Sequence, residues 1–579
     1  MSGPDSPWVL RDYALLADGE RGALIGPRGN VVWMCAPRWH DEAVFAELIG
    51  GPGAFSVSPD DPWNVWGGFY EDGTLIYVNR WIHGDGVTEC RQALAMPAET
   101  GRAVLLRRVR ALRGDARVRL RLDVRAGFGG HAMHDLRHHT DLWHARSGAL
   151  HVRLLGAPDA VPHTDGSLIT HIDVPEGQQH DVVLEVSDAP DGRPLIPAHL
   201  WDTTERAWAD AVPDCATTAA PRDTRQAYAV LRGLTSTSGG MVAAATTSLP
   251  ERATSNRNYD YRYAWIRDQC YAGIAVATHT AHPLADTAVR FVTERVLADG
   301  PRLRPVYTVD GHPLPEERQL TVRGYPGGGR RVGNRAGGEF QLDVFGEVLD
   351  LFATVARRSG IDDEAVRAAG VAARAIEEHW QAPDAGLWEL EPAWWTHSRL
   401  IAVTGLRAAA AEIPGADSTH WRGLADAIWR ETERCCRHPG GAWKRSSEDE
   451  GPDAALLRPL ARGCQDPATS GLSATRQAVE RHLTSDGYVY RFRYRDHPLG
   501  QDEGAFLLCG FLLCSACLTE GRTTQAARWF ERTRAACGPS GLFAEEYDVA
   551  QRQLRGNLPQ AFVHAVLLEN SVRLAAATA

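Results

Sequence analysis

The chain has 579 residues, with 62 Lys and Arg against 73 Asp and Glu, a net charge of −11, and 44% apolar residues. That length exceeds what one hydrophobic core usually serves and predicts two globular domains; the acidic balance, without any long basic run, argues against nucleic acid as a partner. The longest apolar run, "AFLLCGFLLCSACL" at 505–518, is too short to cross a bilayer and predicts a buried helix, so no membrane partner is expected.

The first twenty residues, "MSGPDSPWVLRDYALLADGE", lack a basic start followed by an apolar core, which predicts a cytoplasmic protein. Up to about residue 195 the patterning is that of strands. "GALIGPRGNVVWMCAP" turns at 27–30, "AVLLRRVRALRGDARVRLRLDVRAGF" reads as two long strands around Gly114-Asp115, and "ALHVRLLGAP" and "HDVVLEVSD" add more. Together they predict an antiparallel β-sandwich over 1–198. His131, His134, His138, His139 and His144 fall in this part at irregular spacing. A solvated strand and loop explains them better than a metal site. Eleven scattered cysteines include one CxxC, Cys514 and Cys517, with no second ligand pair, so reduced buried side chains are expected and no metal.

From about residue 200 helical patterns follow one another. Segments near 202–212, 223–234, 264–280, 283–298, 339–358, 362–380, 394–412, 417–436, 472–483, 502–519, 522–536 and 559–577 are predicted helices. Twelve such segments fit an (α/α)6 barrel over 199–579, and the sandwich is expected to pack against it. The acidic stretch "KRSSEDEGPD" at 444–453 reads as solvated surface.

The chemistry-bearing residues gather in the loops. "NRNYDYRYAWIRDQC" at 256–270 sets Arg267 and Asp268 at a helix start among aromatics that include Tyr261 and Trp265. Such a pair can bond sugar hydroxyls while aromatics cover the ring; a helix-entry salt bridge is the simpler reading of this stretch alone. "DAGLWELEPAWWTHSRL" at 384–400 crowds Trp388, Glu389, Glu391, Trp394 and Trp395 together, and Glu545 with Glu546 precedes the last helix. Adjacent carboxylates are more often surface than catalyst. Glu389 follows a Trp and Glu545 follows Phe543 closely, however, and an apolar wall beside a carboxyl disfavours its charged form. One protonated and one ionised carboxyl are what glycoside hydrolysis requires.

These stretches, in order with "AAATTSLPE", "VGNRAGGEFQLDVFGEVLD", "QDEGAF" and "EEYD…GNLPQAFVHAVL", resemble glycoside hydrolase family 15, the glucoamylase, glucodextranase and trehalase group. Residues 12–50, "DYALLADGERGALIGPRGNVVWMCAPRWHDEAVFAELIG", are similar to the trehalase-like N-terminal domain of its prokaryotic members. The resemblance implies a hydrolase that releases β-glucose from a small α-glucoside (isomaltose, a short maltooligosaccharide or trehalose) by single displacement with inversion. It implies Glu389 as general acid and Glu545 as general base, Arg267 and Asp268 holding the terminal glucosyl unit, Tyr261 placing the water and Trp388 packing beside the sugar. Trp265 and Glu546 are expected to contact substrate as well. No cofactor is required by that chemistry.

Two loops depart from the family pattern. "WELEPAWWTHS" puts Glu391 where an Arg is usual and adds Trp394 and Trp395; "RGYPGGGRRVGN" lacks the usual Ser and Pro. Both are expected at the pocket mouth, with Glu391 bonding a sugar or pairing with Arg330 or Arg331. A glycoside phosphorylase of similar plan and a non-catalytic sugar-binding protein remain the alternatives. The intact carboxyl at 545 argues against the first, and intact acid and base positions against the second.

Overall fold

The structure, a computed structural model, describes residues 7–251, 257–494 and 497–578. Asn256, the first residue of the aromatic stretch, and the outer ends of both expected domains lie outside the described residues.

Two antiparallel sheets build the N-terminal part. Eight strands run in spatial order Met133–His139, Leu142–Ser147, Leu150–Leu155, Gln179–Ser187, Arg102–Arg113, Gly86–Leu94, Tyr77–His83 and Val65–Tyr70. Four more, Val161–Pro162, Leu168–Val174, Ala116–Asp123 and Ala54–Pro59, form the second sheet. Alternation sets the faces: Val118, Leu120 and Leu122 are buried in the shared core while Arg117 and Arg119 are exposed. The turn at Gly114-Asp115 does not close a hairpin. Arg102–Arg113 pairs within the large sheet and Ala116–Asp123 within the small one, so this turn is a corner between sheets. The five histidines lie at or beside the far edge of the large sheet and are all exposed.

A third sheet, Ala14–Ala17, Gly22–Ile25, Val31–Cys35 and Ala43–Phe45, is buried on both faces. Ala14, Leu16, Ala23, Ile25 and Met34 join the sandwich core; Leu15, Ala17, Leu24, Trp33 and Cys35 join the helical core. The sandwich therefore packs against the helical part through this sheet. Trp33 donates its indole N–H to the Ala245 carbonyl at 2.9 Å, and Glu20 accepts from the Thr237 N–H at 2.7 Å. Arg262 pairs with Asp260 at 2.7 Å and donates to the Asp41 carbonyl at 2.8 Å.

The helices are α1 (Pro197–Ala211), α2 (Pro221–Leu234), α3 (Ile266–His279), α4 (Pro283–Asp299), α5 (Asp343–Ser359), α6 (Asp363–His379) and α7 (Thr396–Glu412). They continue with α8 (Ser418–Cys436), α9 (Leu457–Ala461), α10 (Leu472–His482), α11 (Leu507–Thr519), α12 (Thr523–Arg534) and α13 (Ala561–Thr578). Packing runs α3 on α5, α5 on α7, α7 on α9, α9 on α11, α11 on α13 and α13 back on α3, a closed inner ring. Helices α2, α4, α6, α8, α10 and α12 lie against it from outside. Helix α6 shows why: Asp362 caps Ala365 N–H at 2.8 Å, and Ala365, Ala368, Ala369, Ala372 and Ala373 make one buried stripe. Glycines bring α5 and α7 together, since a Cβ on Gly405 would lie 2.3 Å from the Gly346 carbonyl.

The count of twelve predicted helices thus equals that of the ring, but one member differs. The segment at 202–212 belongs to α1, which packs on the sandwich strands Arg102–Arg113 and Gln179–Ser187 rather than in the ring. The ring member that sequence reasoning missed is α9, too short for a periodicity to register. No described helix is long and apolar enough to cross a membrane.

Candidate active site

The loops that lead into the inner helices meet at one end of the ring and enclose a cavity of about 260 Å³. The start of α3 supplies Trp265, Arg267 and Asp268; the loop before α5 supplies Arg331, Arg335 and Glu339; the loop before α7 supplies Leu387 to Leu390. Arg491 and Phe506 come from before α11, Glu545 and Gln560 from before α13. Every lining residue lies at 243 or beyond. The N-terminal sheet reaches the site indirectly, through Arg262 and its partner Asp260, whose Oδ2 accepts the Gly333 N–H at 3.0 Å.

Glu389 sits at φ 53°, the left-handed region that non-glycine residues adopt at a cost. Its turn is pinned from below. Asp384 accepts from the Gly386 N–H and the Ser398 hydroxyl, both at 2.8 Å, and forms a fully buried ion pair with Arg399. A Cβ on Gly386 (φ 66°) would fall 2.7 Å from the Trp395 ring, so only glycine fits there. The Glu389 Oε1 then collects three donors: the Trp265 indole N–H at 2.7 Å, and Arg267 and Gln341 at 3.4 Å. Arg267 is itself held by Gln341 at 2.7 Å and Asp343 at 3.0 Å.

Glu545 is buried opposite a different set. The Tyr261 hydroxyl lies 3.2 Å from both of its carboxylate oxygens. Burial first, and the nearby Glu251 charge second, hold its carboxyl well above the usual range, with Arg491 and the Tyr261 hydrogen bond opposing. Asp268 is pushed up to about 7 by burial, and its Oδ1 has no hydrogen-bond partner among the described residues. Trp388 donates its indole N–H to Asp453 at 3.0 Å and meets Phe506 edge-on at 5.5 Å. Glu546 is absent from the lining, and its Oε2 accepts the Gly504 N–H at 2.6 Å.

Tyr261, Trp265, Arg267, Asp268, Trp388, Glu389 and Glu545 are thus brought together around one cavity. Glu391, Trp394 and Trp395 are not. Glu391 is exposed outside the lining, and Arg331 pairs with Glu317 at 3.3 Å instead of with it. Trp394 covers the Arg399 guanidinium at 4.6 Å, and Trp395 packs on Gly386 and carries the Arg445 guanidinium at 5.1 Å. The acidic stretch at 444–453 also differs from a solvated surface, because Arg445, Ser446 and Asp453 are buried.

Sequence reasoning missed Glu251, Glu339 and Arg491 as lining residues; Arg331 lies in a loop it expected at the pocket mouth. Glu251 and Glu339 stand inside the motifs "AAATTSLPE" and "VGNRAGGEFQLDVFGEVLD", a signal that could have found them. Glu339 accepts from the Gln341 amide at 2.9 Å and is pushed up to about 7, by burial and then by the Glu389 charge. Carboxylate oxygens of Glu251, Glu545 and Glu546 lie within 4.8 Å of one another, and no other group of three or more His, Cys, Asp or Glu converges so closely among the described residues.

A sequence profile described as glycosyl hydrolases family 15 matches residues 225–572, and one described as trehalase-like, N-terminal matches 1–185. The chain belongs to glycosyl hydrolases family 15. It is a glycosidase, and its two parts correspond to the two profiles. A trehalase of Mycobacterium tuberculosis is 30% identical over 98% of this chain and 89% of its own length. A trehalase of Mycolicibacterium smegmatis is 29% identical over 98% and 91%. Among solved structures, a bacterial glucoamylase complexed with acarbose superposes with a TM-score of 0.68 at 12% identity, covering 100% of this chain and 96% of that one. That likeness establishes a shared fold: β-sheet domain first, helical domain second.

Proposed function

We propose that this family 15 glycosidase hydrolyses a small α-glucoside from its non-reducing end with inversion, with α,α-trehalose the first candidate substrate. Glu389 acts as general acid and Glu545 as general base. The observation that carries this reading is that both carboxyls line one cavity, each fixed by its own donors. Trehalases that align over both domains support the choice of substrate. A volume of about 260 Å³ supports a small substrate too, since ligand pockets run from roughly 300 Å³ upward.

The chemistry follows from the donors. Three N–H groups already point at the Glu389 Oε1, so the proton to be given resides on Oε2. As the C1–O bond to the leaving sugar breaks, that proton passes to the leaving oxygen. Water forms the new C1–O bond from the other face and gives its proton to Glu545, which Tyr261 orients. The unpartnered Asp268 Oδ1 accepts a glucosyl hydroxyl, and Arg267 buttresses both the sugar and the acid.

Proton NMR of the first product should show β-glucose beside one equivalent of the second sugar. Glu389→Gln and Glu545→Gln should each lose at least about a thousandfold in kcat. First-formed α-glucose would overturn the inverting reading, and a strict need for phosphate with glucose 1-phosphate as product would replace hydrolysis by phosphorolysis.

A further inference from the structure

Glu251 is a buried carboxyl for which the reaction above has no use. It lines the cavity, is 5% exposed, and has an oxygen within 4.8 Å of oxygens from Glu545 and Glu546. Like charges this close and this dry do not all ionise together. The groups that face them decide the order. Arg491 is the cation acting on all three, but Glu503 already engages it at 3.1 Å. Arg257 donates to Glu503 at 3.2 Å and lies against Tyr494. Glu503, Glu389 and Asp268 add negative charge around the group. Tyr261 donates to Glu545; the Gly504 N–H donates to Glu546, whose Oε1 has no partner among the described residues. Burial raises the Glu546 carboxyl first, and the charges of Glu251, Glu503 and Glu545 raise it further. Glu251 and Glu545 then compete for the remaining negative charge.

We propose that Glu251 is a positioning residue for the base: it carries the first negative charge of the pair, and that charge makes Glu545 a stronger proton acceptor that becomes active only toward neutral pH. Burial raises the Glu251 carboxyl to about 7, but the cations around it agree with this order: Arg491 and Arg257 both favour its charged form. The proton taken from water goes to Glu545 and none goes to Glu251. A base whose proton affinity matches the working pH is the most effective one.

The proposal rests on Glu545 as the base, so Glu545→Gln is measured in parallel. With Glu251→Gln, the acid limb of kcat/KM against pH should move down by about one unit or more, with a lower plateau in kcat and KM within twofold. Glu251→Asp keeps the charge and should retain the wild-type limb; it also serves if the glutamine variant does not fold. An acid limb that stays in place while activity falls equally at every pH would overturn the role of Glu251. So would wild-type activity that is abolished by EDTA and restored by magnesium, because the three carboxylates would then be holding a cation. Full activity in Glu545→Gln would instead remove the base assignment itself.

Discussion

Replacing Trp265 by phenylalanine removes one N–H from the Glu389 Oε1 and keeps an aromatic wall. That hydrogen bond is 2.7 Å long, and the two donors that remain stand at 3.4 Å. A neutral acid gains little from it. The carboxylate that forms as the proton leaves gains the full charge-assisted bond, about 1.5–3 kcal/mol. The loss therefore falls on the transition state, and kcat should drop by a factor of about 10 to 100, at about 1.4 kcal/mol per decade. KM for the substrate should stay within about threefold, because ground-state contacts are retained. Glucose release from trehalose under saturating substrate gives kcat, and a thermal melt establishes that the variant is folded, since Trp265 is buried. A folded variant with kcat within twofold of wild type would refute the argument that this indole serves the acid.

Cutting the link between the domains should cost stability. Arg262→Met leaves Asp260, fully buried, without its cation, at about 3–5 kcal/mol in urea unfolding; a loss below about 1 kcal/mol would contradict it. Trp394→Ala should leave kcat/KM for trehalose within twofold while lowering the melting temperature, because its ring covers Arg399 rather than the cavity; an altered disaccharide preference would return it to the site. Burial pushes Asp268 up to about 7 and Asp343 up to about 6, from ordinary values of 3.8. Between those values the folded protein holds protons that the unfolded chain has released, so stability falls as pH rises through that window. Melting temperatures should be higher near about pH 5 than near about pH 8, and a steady rise over the same range would count against the buried site.

Long amphipathic helices such as α6 were legible because one stripe of alanines is buried and the other face is not. The exposed Arg117 and Arg119 likewise made Ala116–Asp123 read as a strand. In the third sheet the strands on either side of the turn at 27–30 were read, but Ala14–Ala17 was not: with both faces covered, Leu15 and Leu16 are equally buried and no polar alternation remains. Helix α9 spans only Leu457–Ala461, less than two turns, so no apolar period can appear in it. Among the site residues, Arg267 and Asp268 were legible as a charged pair among aromatics. Arg491 was not, since nothing local distinguishes a buried arginine from the many on the surface.

The amino-acid sequence by itself determined the two-part architecture and the loops that carry the carboxyls, because periodicity and motif order are local properties of the chain. Which side of each loop faces the cavity was decided only by tertiary packing. In "GLWELEPAWW" the left-handed turn at Glu389 aims one carboxyl inward, while Trp394 packs on Arg399 and Trp395 on Gly386 and Arg445, outside the cavity lining. The meeting of Glu251 with Glu545 joins residues 294 positions apart, and no local pattern records a contact made by closing a ring of helices.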